Sequence, residues 1–174
     1  MLMFQYGSNC NERRLNCASR LGGMAHDLGL AETTETYDLA FDVWSKTNGC
    51  AAGDLVHPES SGRRVWGVLY EIPDPGFETL CRIEGPRYEP QPISVRDQQD
   101  VSQEARTFLA KPADRAIGLW TSAMYVEHIV SGLRTHGAPD PYIDYIIDRA
   151  VSTNQVAKEE DGRRQIRDLI ALRT

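Results

Sequence analysis

Two stretches of the chain hold residues whose types and spacing could do chemistry. The first is Tyr6-Gly7-Ser8-Asn9, directly after the apolar run Met1 to Phe4. Gly7 can adopt a positive φ and lets a ligand approach the main chain. Asn9 and Glu12 have the spacing of an N-cap and N3 capping pair for a helix through about Ser19. The first N–H groups of such a helix have no internal partner and sit at its positive end, so the turn could cradle a carboxylate or phosphate. The same residues also suit a plain strand-to-helix corner. The second stretch is "PDPGFETLCRIEGP", which predicts a short helix. Asp74 caps it, Pro75 takes the first position, Gly85 terminates it and Pro86 prevents continuation. Phe77, Leu80, Cys81 and Glu84 then share one face, so an apolar stripe ends in a carboxylate. A buried glutamate is usually paired or functional. The alternative is a frayed last turn in which Glu84 reaches solvent or pairs with Arg82 or Arg87.

Other candidates carry less. Ser8 is outside any GxSxG elbow. His26, His57, His128 and His136 have no metal-ligand spacing and read as surface or hydrogen-bonded histidines. Arg13 and Arg14 could attract an anion, or simply form a solvated helix face. Tyr88 and Tyr125 offer phenols to a cavity, or pack in the core with satisfied hydroxyls. Cys10, Cys17, Cys50 and Cys81 form no CxxC pair, which fits reduced thiols in a cytoplasmic protein.

These groups need elements to hold them. The 174 residues are 41% apolar and 25% charged, enough for one domain with a proper core. A net charge of -6 argues against non-specific nucleic-acid or anionic-membrane binding. No apolar run approaches the ~20 residues of a membrane span, and the start lacks the pattern of a signal peptide. With no repeat, low-complexity tract or linker, residues 1–174 are expected to form a single domain. Strands are predicted at Met1–Tyr6, Leu39–Trp44, Ala51–His57, Val65–Ile72, Tyr88–Val95 and Ala105–Leu109. "VWGVLYEI" suggests burial on both faces, with Gly67 marking a close backbone approach. Later, Val126, Ile129, Val130 and Leu133 mark one helix face, stopped by Gly137 and Pro139. Asp140-Pro141 starts another helix, with Asp140 as cap and a stripe at Ile143, Ile146, Ile147 and Ala150. Ile166, Leu169 and Ile170 mark a last amphipathic piece. Strands early and helices late give an α+β domain.

In order along the chain, "FQYGSN", "VWGVLYEI", "LCRIEGPRY" and "TSAMYVEHIVSGLRTHGAPDPYIDYI" resemble the γ-glutamylcyclotransferase family. These landmarks run from residue 4 to about 147. The resemblance implies a small mixed β-barrel surrounded by helices, with a cavity where the first strand's loop meets the glutamate helix. It further implies that Tyr6, Gly7, Ser8 and Asn9 form the substrate-binding loop, that Glu84 is the catalytic acid/base, and that Tyr88 and Tyr125 line the cavity. No metal or other cofactor is expected. The implied reaction cyclises the γ-glutamyl group of an amino-acid or amine conjugate to 5-oxoproline. An acyltransferase or amidase, or a non-catalytic binder on the same fold, is the alternative. The partner is then a small γ-glutamyl molecule, and the apolar helix faces leave room for a homodimer. Glutathione-specific relatives tend to carry YGSL, so Asn9 leans toward other γ-glutamyl substrates. Gln5 and Cys10 depart from the family's usual small and larger aliphatic residues, which bears on substrate identity.

Overall fold

The computed structural model describes residues 1–58 and 62–173. Among the described residues are seven strands and five α-helices. The strands are β1 (Leu2–Gln5), β2 (His26–Thr33), β3 (Asp38–Ser45), β4 (Cys50–Val56), β5 (Trp66–Glu71), β6 (Tyr88–Asp97) and β7 (Ser102–Ala110). The helices are α1 (Glu12–Leu15), α2 (Asp74–Glu84), α3 (Ala123–Thr135), α4 (Asp140–Gln155) and α5 (Glu160–Ala171). Five strands close a barrel in the order β1-β5-β2-β6-β7, while β3 and β4 form a separate two-stranded sheet. All barrel pairings are antiparallel except the seam, where β1 meets β7 in parallel at Met3 and Arg106. This is the expected α+β barrel with helices around it. None of the described helices is long and apolar enough to cross a membrane.

Adjacent residues on a strand face opposite ways. Met3 and Phe4 are nevertheless both fully buried, as are Val68, Leu69 and Tyr70 of β5. Both faces of the sheet are therefore covered here, as the unbroken apolar run of β5 foretold. Prolines 90 and 92 are tolerated inside β6 because that half of the strand pairs only with β7. Its pairing with β2 begins at Val95, so on that side no ladder waits for the missing N–H groups.

Two close approaches set the geometry around the end of β1. A Cβ on Gly67 would lie 2.4 Å from the Gln5 carbonyl oxygen and 2.6 Å from the Phe4 ring. One on Gly132 of α3 would lie 2.3 Å from the Cys10 carbonyl carbon and 2.4 Å from the Asn11 nitrogen. Helix α3 otherwise packs through Val126, Ile129, Val130 and Leu133, all fully buried as their spacing requires. Its start is fixed by Asn154 of α4, whose buried carboxamide bonds both main-chain groups of Thr121 at 2.9 Å. Ser122 then caps the helix by accepting from the Tyr125 N–H.

The structure corrects several local expectations. In place of one helix from Asn9 to Ser19 there is a 3-10 turn at Ser8–Cys10 followed by the single-turn α1. Asn11, not Asn9, caps α1, accepting from the Arg14 N–H. Gly7 has φ -96°, outside the left-handed region. Asp74 and Asp140 lie inside their helices, and Pro73 and Pro139 hold the cap positions without a side-chain bond. The start of α2 thus differs, but its end matches: Gly85 stops it at φ 73°. Strand β2, "HDLGLAET", was not expected at all; its alternation is broken by Gly29 and a register shift between Asp27 and Gly29. On α5, Leu169 is buried but Ile170 is exposed.

Two stability outcomes follow. Gly132→Ala gains up to about 1 kcal/mol of helix propensity. It also drives a methyl group into backbone that no rotamer can relieve, so a net loss of roughly 1–3 kcal/mol is expected in denaturant unfolding. An equal or higher midpoint would show that α3 does not rest on the turn. Asp42 sits at the register shift of β3 with Oδ1 buried and unpartnered. Burial, and next the charge of Asp54, push its pKa up to about 6. A carboxyl that holds its proton more tightly when folded stabilises below its unfolded pKa, and that stability is lost as pH rises through about 6. Asp42→Asn should therefore raise the melting temperature at neutral pH, with the gain vanishing near pH ~4.

Candidate functional site

The chain leaves β1 at Gln5 and turns at once, and the 3-10 turn at Ser8–Cys10 closes with Cys10 N–H donating to the Gly7 carbonyl at 2.9 Å. The first amides of such a turn have no internal acceptor. Among the described residues, the N–H groups of Gly7, Ser8 and Asn9 have no main-chain acceptor. These residues line a cavity of about 350 Å³ together with Gln5, Glu84 and Tyr125. The cavity volume suits a small metabolite. A side chain at position 7 would begin 3.4 Å from the Tyr125 hydroxyl, so glycine there keeps the space between turn and phenol open.

Glu84 reaches the same cavity from the last turn of α2. Leu80 is fully buried, Phe77 stacks on Phe108 at 6.3 Å, and the stripe they define carries Glu84 inward. The frayed-turn alternative and pairing with Arg82 or Arg87 both fail. Glu84 Oε1 instead accepts from Asn9 Nδ2 at 2.9 Å, with Arg20 Nη2 at 3.9 Å. Burial raises the Glu84 pKa above the ordinary carboxylate value, while the Arg20 charge, the Asn9 hydrogen bond and the charge of Arg14 pull it back. Its side chain keeps 21% exposure, all that links it to the cavity.

Asn9 is the hub. Its Nδ2 also donates to Gln5 Oε1 at 3.0 Å, and its Oδ1 accepts from Arg20 Nη2 at 2.6 Å. Its side chain, expected to cap a helix or belong to a ligand-binding loop, is spent on orienting Glu84. The phenols divide by their protons. Tyr6 donates to the Phe108 carbonyl at 2.6 Å and Tyr88 to the Gly53 carbonyl at 3.1 Å. Tyr125 instead accepts from the Gly53 N–H at 3.0 Å, and its hydroxyl also meets the Ser8 side chain. Burial pushes all three pKa values up, that of Tyr125 to about 12, so each stays protonated at neutral pH.

Every residue singled out from the sequence for this site, Tyr6 through Asn9, Glu84, Tyr88 and Tyr125, lines the one cavity. Arg14 does too, bonded to Asn48 at 2.8 Å, whereas Arg13 is exposed. None of the four histidines lines it. His136 instead bridges Asp27 and the Gly132 carbonyl, both at 2.6 Å. Three contributors went unforeseen. Arg20 follows α1 in a stretch with no periodicity. Gly53 sits in β4, where it bonds two tyrosines. The hairpin tip from Trp44 to Asn48 forms part of the rim. None of the three carries a local sequence signal.

Comparison with known proteins accords with this geometry. Residues 64–146, just under half of the chain, match the AIG2-like family. No curated protein sequence matches. Among solved structures, one described as "Gamma-glutamyl cyclotransferase" aligns with a TM-score of 0.71 at 21% identity, over 83% of this chain and 85% of that one. An uncharacterized protein from Homo sapiens aligns at 0.72 and 22%, over the same shares. YkqA from Bacillus subtilis aligns at 0.69 and 20%, over 91% of this chain and 56% of its own. The AIG2-like segment holds Glu84, Tyr88 and Tyr125 but stops short of the turn at Tyr6 to Asn9. The chain resembles the γ-glutamylcyclotransferases and has their fold, a closed mixed barrel ringed by helices.

Proposed function

We propose that the protein is a γ-glutamylcyclotransferase-type enzyme that closes the γ-glutamyl group of a γ-glutamyl amino acid or amine to 5-oxoproline and releases the free amine. One observation carries this reading: Asn9, in the turn that lines the cavity, donates directly to the half-buried Glu84. An anion-binding turn and a poised carboxyl group thus face one small cavity.

The substrate supplies its own nucleophile. Its α-carboxylate docks on the main-chain amides of Gly7 to Asn9, which fixes the folded conformer. Positioning of this kind can lower a barrier by several kcal/mol, up to roughly 7–11. Glu84 takes a proton from the α-ammonium, and the freed nitrogen attacks the γ-carbonyl carbon. A C–N bond forms and the carbonyl oxygen gains the negative charge. As the carbonyl re-forms, the bond to the leaving nitrogen breaks and Glu84 delivers a proton to it. In total two protons leave the α-nitrogen and two reach the amine, so Glu84 ends as it began, ionised. An ordinary glutamate is about 3.5 pKa units below an α-amine, a mismatch of about 5 kcal/mol. Burial of Glu84 raises its pKa and narrows that gap. Tyr125, whose hydroxyl lies between Ser8 and the Gly53 N–H, donates to the carbonyl oxygen. Tyr88, whose proton is committed to Gly53, holds the wall.

The deciding assay incubates the pure protein with γ-glutamyl amino acids and γ-glutamylamines and follows 5-oxoproline release. Free glutamate or a new amide would point instead to an amidase or acyltransferase, and binding without product to a non-catalytic module. Glu84→Gln should lower turnover by at least ~100-fold while the fold persists; wild-type rates in that variant would remove Glu84 from the mechanism. The raised Glu84 pKa gives the pH dependence its sign. The base must be ionised, so the acid limb of kcat/KM lies above the ordinary carboxylate range. Arg20→Met removes a charge that lowers this pKa and should move the limb to higher pH. An unmoved limb would mean that Arg20 does not act on Glu84. Because ionised Glu84 also costs stability when buried, Glu84→Gln should melt no lower than wild type at neutral pH, and its advantage should shrink as acid protonates the native residue.

A further inference from the structure

Gln5 is 94% buried by the measure of its 6% exposure, lines the cavity, and has no partner for its Nε2. Its amide orientation is set by a chain of hydrogen-bond logic. A guanidinium only donates, so the Asn9 atom 2.6 Å from Arg20 Nη2 must be the oxygen. The other Asn9 atom is then Nδ2, a donor, and both atoms it faces must accept: Glu84 Oε1 at 2.9 Å and Gln5 Oε1 at 3.0 Å. Arg20 thus fixes, two residues away, that Gln5 offers its NH₂ group elsewhere. A buried donor without an acceptor costs roughly 1–3 kcal/mol; Nε2 itself is enclosed, while the residue that carries it lines the cavity beside the proposed base. The same logic leaves Glu84 Oε2, which no described group bonds, as the oxygen that carries the moving proton.

Resting on the reaction proposed above, we infer that Gln5 is a specificity-determining residue whose Nε2 donates to the γ-carbonyl oxygen of the substrate. A donor-only group placed next to an acceptor-only carboxylate sets the polarity of the site. The ligand's oxygen must face Gln5 and its nitrogen must face Glu84. The developing negative oxygen then has two donors, Gln5 Nε2 and the Tyr125 hydroxyl.

Two substitutions separate this role from mere support of Asn9. Gln5→Met removes both functions of the carboxamide; kcat/KM should fall about 100-fold, the range for losing one donor to a developing oxyanion. Gln5→Glu keeps an oxygen for Asn9 but replaces the donor by an acceptor. Under the proposal it is as impaired as Gln5→Met; if Gln5 only props Asn9, it recovers to within a few-fold of wild type, which overturns the inference. A third measurement needs no variant: the assigned side-chain NH₂ resonances of Gln5 in the intact protein should shift on titration with 5-oxoproline. Resonances that stay put while others in the cavity move also overturn it. If no γ-glutamyl substrate yields lactam yet the Gln5 resonances still respond to 5-oxoproline, the cyclisation reading falls and the Gln5 contact stands. If neither occurs, both fall.

Discussion

The candidate site exists because two neighbouring backbones come closer to the end of β1 than any side chain would allow. At Gly67 the strand β5 slides under Phe4 and Gln5, and at Gly132 the helix α3 lies directly on Cys10 and Asn11. Between these two contacts the chain has just enough length for one tight turn. That turn cannot relax into a regular helix without striking α3. Among the described residues its first amides have no main-chain acceptor, and the residues that carry them line the cavity. The absence of two Cβ atoms, rather than any strong bond, lets these backbones close in around the turn.

The charges are arranged in the same spirit. Glu84 loses solvent because Phe77 and Leu80 pull its helix face into the core, and that loss favours the protonated form. Arg20 and Asn9 act against it, Arg20 through its charge with a nitrogen 3.9 Å away and Asn9 through the only hydrogen bond that the carboxylate accepts among the described residues. A direct, bidentate arginine would lock the carboxylate as an ion and make it a poor base. An amide in between holds one oxygen and leaves the other free. Tyr88 and Tyr125 both meet the main chain of Gly53, one donating to its carbonyl and the other accepting from its N–H. A single glycine residue in β4 thereby fixes the position of two phenols at the cavity wall.

How much of this could be read along the chain depends on how local each cause is. Strand β5 and helices α3 and α4 announce themselves because burial on a fixed period dictates their residues. Glu84 stood out because a carboxylate at the end of an apolar stripe has few structural excuses. Asn9 was legible as important but not in its part, since capping and orienting use the same side chain. Arg20 was invisible, because its partner lies 11 positions away and nothing in "CASRLGG" requires contact with Asn9. Strand β2 was hidden by Gly29, which interrupts the alternation that marks a strand, and only pairing with β5 and β6 rescues it. Asp54 and Arg115, a pair at 2.8 Å whose carboxylate is fully buried and which ties β4 to the segment after β7, likewise belong to distant parts of the sequence.

The hairpin of β3 and β4 stands apart from the barrel ladder, moored by that ion pair and by Tyr145 and Arg149 of α4, which bond the main chain of Leu39. Its tip, from Trp44 to Asn48, nevertheless forms part of the cavity rim. Mutations that accumulate at the tip re-cut the entrance without disturbing a single rung among the five closed strands. A lineage built on this scaffold can therefore reshape the entrance by drift in a handful of codons, while the half of the pocket around Glu84 is inherited unchanged.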